Sequence, residues 1–176
     1  MIAAVIVGAA ALAAGAAVFF VSYRRHEERA RYYSAAKALV QSEILDYEIR
    51  NHATGKLIAP PSTRRIILYL RVNARPSQKY VLDPQKGILF GRDSTACDVL
   101  LNEAVVSQRH CRIQEQNGAV WLTDLGSANG TVLRKGLFHK VTLHSGQSVR
   151  VSSGDELCLG RTRFDLTLFL FDNTRM

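Results

Sequence analysis

The hydrophobic positions of this chain follow three successive patterns. Ile2 to Val21 is an unbroken run of twenty residues without a charge. As a helix it would extend about 30 Å, the thickness of a bilayer's hydrocarbon core. Between Tyr23 and Asn51 there is neither Pro nor Gly, and Tyr33, Ala36, Val40, Ile44 and Tyr47 recur at helical spacing. That pattern predicts a helix ending before Asn51-His52-Ala53-Thr54-Gly55. A narrow apolar stripe of this kind usually belongs to a solvated helix, packing on a partner helix or on the following domain being the alternatives. Ala59-Pro60-Pro61-Ser62-Thr63 reads as a linker, because consecutive prolines lack donors and impose extended backbone.

From Arg65 onward the pattern changes to short apolar or alternating runs separated by turn residues, the signature of strands. They are predicted over 66–72, 79–82, 88–90, 99–101, 110–114, 119–122, 131–133, 140–143, 148–151, 156–159 and 164–171. No run of ten or more residues there carries helical periodicity, so the expected class is all-β, an antiparallel sandwich. Asn117-Gly118, between Cys111-Arg112-Ile113-Gln114 and Val120-Trp121-Leu122, has the composition of a two-residue type I′ hairpin and makes those strands neighbours. Trp121 is expected to bury its ring in the core. The segments are then a membrane helix at 1–22, a juxtamembrane helical stalk at 23–50, a linker at 51–63 and the β domain at 64–172.

Charge decides how the leader is read. No Lys or Arg precedes the apolar run, whereas Arg24, Arg25, Arg29, Arg31 and Lys37 follow it. A cleaved signal peptide has its charges on the other side. The positive-inside rule therefore anchors the leader uncleaved in the cell membrane, as a single pass, with the C-terminal domain cytoplasmic. Ala4, Gly8, Ala11 and Gly15 share one helical face that would let two membrane helices approach in a weak homodimer, although an Ala-rich leader gives such spacings by chance. The formal net charge of +8 would suit nucleic acid, but its juxtamembrane clustering gives it a membrane role instead and no nucleic-acid partner is expected. Cys97, Cys111 and Cys158 form no CxxC pair. They read as small core residues in a reducing compartment, and neither a metal nor a cofactor is expected.

Three loop clusters remain: Gly91-Arg92, then Ser107-Gln108-Arg109-His110, then Asp124-Leu125-Gly126-Ser127-Ala128-Asn129-Gly130-Thr131, followed by Gly154-Asp155 and Leu159-Gly160. In order and spacing they resemble the forkhead-associated (FHA) domain. The resemblance covers residues 65 to 171 and implies an eleven-stranded sandwich whose loops at one end bind phosphothreonine peptides. It also connects the chain to small bacterial single-span membrane proteins of cell division, wall synthesis and Ser/Thr kinase signalling.

A phosphate dianion offers three strong acceptors, so its receptor needs a planar cation with paired donors and further donors at fixed angles. By the resemblance, Arg92 supplies the fork, Ser107 a hydroxyl and the backbone beside Ser127 another donor, while Asn129 holds the peptide backbone. Gln108 and Ala128 complete the peptide-binding set; they stand where many members carry Arg or Asn, and a hydroxyl residue, which implies fewer contacts. Gly91, His110 and Gly130 support the loops. Arg109 and Arg134 are nearby cations that would compensate. Ser107, His110 and Asp124 also invite a nucleophile-triad reading, but no nucleophile elbow accompanies them, so an enzyme is not expected. The implied partner is a threonine-phosphorylated protein, a Ser/Thr kinase or its membrane substrate, with the chain as adaptor. The rival expectation is a phosphate-independent scaffold that uses the sheet surface.

Overall fold

The structure is a computed structural model that describes residues 2–54, 62, 64–136 and 139–172. Helix α1 runs without a break from Ile2 to Thr54, past the expected stop before Asn51. No Pro or Gly interrupts residues 51–54 and His52 lies in the last turn, where a base favours the helix dipole. Most side chains of residues 2–22 lie outside the described set, including those of the small-residue face. Among the described residues no helix is long and apolar enough to cross a membrane. Most of the proline linker also lies outside the described residues.

The eleven expected strands all form: β1 (Arg64–Val72), β2 (Arg75–Leu82), β3 (Ile88–Gly91), β4 (Val99–Leu100), β5 (Cys111–Gln116), β6 (Ala119–Asp124), β7 (Thr131–Lys135), β8 (His139–Leu143), β9 (Ser148–Arg150), β10 (Glu156–Leu159) and β11 (Thr162–Asp172). They make two sheets, ordered β2-β1-β11-β10-β7-β8 and β4-β3-β5-β6-β9. The sandwich is antiparallel except where β3 pairs parallel with the two-residue β4. The β5–β6 hairpin closes as predicted, Gln116 opposite Ala119, with Asn117 and Gly118 at φ of 54° and 73°. Both central residues of a type I′ turn require that left-handed region.

Between the sheets lies the core, which includes Leu68, Leu70, Phe90, Ile113, Leu122, Leu133, Leu157, Phe164 and Leu166. Strand alternation decides membership. On β6 Val120, Leu122 and Asp124 face inward, so Trp121 faces out, half-buried, against the expectation of a core ring. Of the cysteines only Cys111 is buried, while Cys97 and Cys158 are partly exposed.

A second apolar cluster lies outside the sandwich. Ala36 and Val40 of α1 are fully buried against Ile67 and Phe171, with Tyr33, Leu39, Ile44, Val81 and Phe169 around them. The helical stripe expected to be solvated is thus docked on the outer face of β1 and β11. Ile67, Tyr69, Phe169 and Phe171 make that face apolar, and burying such surface is favourable by about 25 cal/mol per Å². Buried Arg65 fastens the junction, its Nη1 lying 2.6 Å from both Glu43 of α1 and Asp83. Burial alone would raise the Glu43 carboxyl, but the neighbouring Lys86 and Arg65 outweigh it and hold it below its ordinary value. Tyr33 adds a 3.2 Å bond from its hydroxyl to the Asp172 carbonyl.

Candidate phosphopeptide site

The loops after β3, β4 and β6 meet at one end of the sandwich, and buried His110 holds them together. The Ser107 N–H can only donate, so His110 Nδ1 accepts from it at 3.1 Å and Nε2 carries the proton toward the Gly130 carbonyl, 3.2 Å away. The His110 backbone donates to Phe90 and accepts from Leu125. Burial pushes the imidazole below its ordinary value of 6.5, against the pull of the Gly130 carbonyl and Asp124. A neutral ring fits this frame, because a proton on Nδ1 would confront the Ser107 N–H.

Fully buried Asp124 sets the third loop. Its carboxylate accepts from the Gly126 and Ser127 backbone at 2.9 and 3.0 Å, and from the Ser127 and Thr131 hydroxyls at 2.6 Å. Desolvation opposes its ionised form, but the bonds from Ser127 and Thr131 prevail and hold the carboxyl below the usual range. Gly91 is required by close approach: a Cβ there would lie 2.0 Å from the Gln108 carbonyl oxygen. That carbonyl also accepts from Asp93 N–H and from the Cys97 thiol. Gly130 sits at φ 74°.

The expected binding residues converge on the segment 105–107. Arg92 donates from its backbone to the Ser107 carbonyl at 3.1 Å and from Nε to the Val106 carbonyl. Those bonds steady the side chain, and its Nη groups make no hydrogen bond among the described residues. Asn129 donates from Nδ2 to the Val105 carbonyl at 2.8 Å, which leaves its oxygen to accept. Ser107 Oγ accepts from Ala128 N–H at 3.1 Å and keeps its own proton to donate. Arg92, Asn129, Ala128 and Gln108 are exposed, and Ser107 is half-buried.

The expected backbone donor lies beside Ser127, at Ala128, and Ser127 itself has a different part. Both its N–H and its hydroxyl are taken by Asp124, so it braces the loop. The backbone donor of that loop nearest Ser107 belongs to Ala128, where a side-chain hydroxyl is absent. Arg134 is drawn to Glu156 at 3.4 Å on the outer face of the larger sheet, and Arg109 is exposed beside the first loop. Sequence reasoning missed the roles of Asp124, Thr131, Val105 and Val106. A carboxylate followed by Gly and Ser at the second and third positions is an Asx-turn signal that would have found Asp124; the two valines act through carbonyls, which every residue has. Among the described residues no cluster of metal-ligating side chains occurs.

A larger groove of about 840 Å³ lies between α1 and the β1/β11 face, lined by Tyr32, Tyr69 and Leu170 among others, and it contains none of these loop residues.

Residues 88–160 match the family model of the FHA domain. The chain is similar to the oxoglutarate dehydrogenase inhibitor of Corynebacterium diphtheriae, 28% identical over 111 residues that cover 63% of this chain and 70% of that protein. It is also similar to the protein phosphatase 1 regulatory inhibitor subunit PPP1R8 homolog of Arabidopsis thaliana, 35% identical over 77 residues, or 42% of this chain. The match spans only 21% of that plant protein's length. Among solved structures, the FHA domain of an Arabidopsis thaliana hypothetical protein superposes with a TM-score of 0.52 at 25% identity, covering 68% of this chain and 96% of that one.

Proposed function

We propose that this chain, whose β-sandwich is an FHA domain, is a membrane-tethered phosphothreonine-peptide reader and not an enzyme. One observation supports it above the others. Arg92, Ala128 and Asn129 all bond to the segment 105–107, gathering a guanidinium fork, the Ser107 hydroxyl and an amide around one point. Such a set matches a phosphate joined to a peptide backbone. It would bind a threonine-phosphorylated Ser/Thr kinase or membrane substrate, in cell division or wall synthesis.

The tether rests on the twenty uncharged residues 2–21 followed by the basic cluster. A reporter fused after Met176 is expected to be membrane-bound and cytoplasmic; a soluble or periplasmic reporter would remove the tether from the proposal. The scaffold rival needs free sheet surface, and α1 takes up part of it by covering Ile67 and Phe171 on the outer face of β1 and β11. The reader proposal is tested with a degenerate phosphothreonine peptide library and its unphosphorylated counterpart. Selective retention of phosphopeptides is expected, and equal retention of both would leave the scaffold reading in its place.

A further inference from the structure

Asn129 and Val105 belong to two features at once. One is the loop end described above; the other is a groove of about 330 Å³ that leads from it onto the outer face of the larger sheet. The strand register builds this groove. Val132 lies opposite Cys158 and Cys158 opposite Arg163, while in the next row Lys140 lies opposite Arg134 and Arg134 opposite Glu156. Arg134 is engaged by Glu156, which also accepts from Asn73 at 3.1 Å. Lys140 and Arg163 are exposed and, among the described residues, have no ion-pair partner. Cys158 between them stays an uncharged thiol, pushed up to about 11 by burial and by Glu156. The groove therefore offers two uncommitted cations beside a neutral floor.

Resting on the phosphothreonine reading, we propose that this groove selects phosphopeptides carrying acidic side chains next to the phosphothreonine, with Lys140 and Arg163 as the selecting residues. A peptide whose backbone is held at Asn129 extends about 3.3 Å per residue, so near neighbours of the phosphothreonine on one side fall within the groove. An apolar flank would desolvate both cations without compensation, whereas carboxylates pair with them. Each pair is solvent-exposed and individually weak. The groove thus ranks phosphopeptides against one another and does not capture acidic peptides by itself.

The test is fluorescence anisotropy on the full-length chain with labelled peptides of Ala and Gly around a phosphothreonine, bearing no acid, three Asp before it, or three Asp after it. One acidic peptide is expected to bind about threefold to tenfold tighter than the neutral one. Lys140→Gln with Arg163→Gln should abolish that gain and keep the neutral phosphopeptide's affinity within about twofold, because neither residue contacts the phosphate end. Equal affinities for the three peptides, or a gain that survives the double substitution, overturns the groove proposal and leaves the phosphothreonine reading standing. If an acidic peptide without phosphate binds as tightly as its phosphorylated twin, or if no phosphopeptide binds, the phosphothreonine reading falls and the groove proposal falls with it.

Discussion

The loop end and the helix–sheet junction are both held in place by buried charge, yet they are opposite constructions. At the loop end Asp124 accepts four hydrogen bonds and His110 two loops' worth of backbone, so polar groups fix the geometry and almost every one has an assigned partner. At the junction Ala36, Val40, Ile67 and Phe171 are interchangeable aliphatic and aromatic surface, and the Arg65 pairs with Glu43 and Asp83 add register to a contact that area alone would favour. Directional networks tolerate no substitution but leave defined donors facing solvent, which suits recognition. Apolar contacts tolerate shape-conserving changes and recognise nothing in particular, which suits attachment.

The contrast is broken most severely by Asp124→Ala. It strands four donors in a buried loop and is expected to cost about 3 to 5 kcal/mol of stability, abolishing phosphopeptide binding with it. Denaturant unfolding and peptide titration on the same protein check both. Val40→Asp attacks the other region by placing a charge against Ile67 and Phe171. About 2 to 3 kcal/mol of docking should be lost. Hydrogen exchange should rise over residues 33–44, while affinity for a phosphothreonine peptide stays unchanged. An affinity loss there would show that the two regions are coupled.

Arg92→Ala sharpens the comparison from the loop side, since that side chain is exposed and contacts the frame through Nε alone. Affinity is expected to fall by about 1.5 to 3 kcal/mol with little change in melting temperature. Undiminished binding would show that charge recognition lies elsewhere.

Acid should separate the regions more gently. His110 has its proton affinity lowered by burial, so the stability it contributes is present above its ordinary 6.5 and is lost as pH falls below that toward its folded value. Glu43 is held below its ordinary 4.5 by Lys86 and Arg65 after burial is overcome, so the junction's share persists to about that pH and is lost only below it. Melting curves from pH 8 to 4 should therefore show a first decline that His110→Gln removes, and exchange protection of the helix should outlast it. Simultaneous loss of both in the wild type would contradict the separation.

Much of this molecule was legible because the determining forces are local. Short apolar or alternating runs placed the eleven strands, Asn117-Gly118 placed a hairpin, and Gly91, Arg92, Ser107, His110 and Asn129 were picked out because their loop clusters resemble the FHA domain. The sequence fell short where a position's meaning depends on what lies across from it. Trp121 is an aromatic residue on a strand, and only the register that turns Val120 and Leu122 inward puts its ring outside. The sequence places a backbone donor beside Ser127, but only the structure shows that Asp124 takes both hydrogens of Ser127 itself.

The stripe on α1 is the clearest division between the two. Its spacing alone determined that Ala36 and Val40 share a helical face, because 3.6 residues per turn is a property of the backbone. That this face would be covered by the chain's own sheet was decided by tertiary structure. Ile66-Ile67-Leu68-Tyr69-Leu70 breaks the alternation of a half-solvated strand and signals that both faces are buried, but the run cannot name what buries the second one. Apolar surface is attracted to any apolar surface in reach. Only the folded arrangement, which brings Glu43 to Arg65 while Ala36 and Val40 meet Ile67 and Phe171, selects the partner.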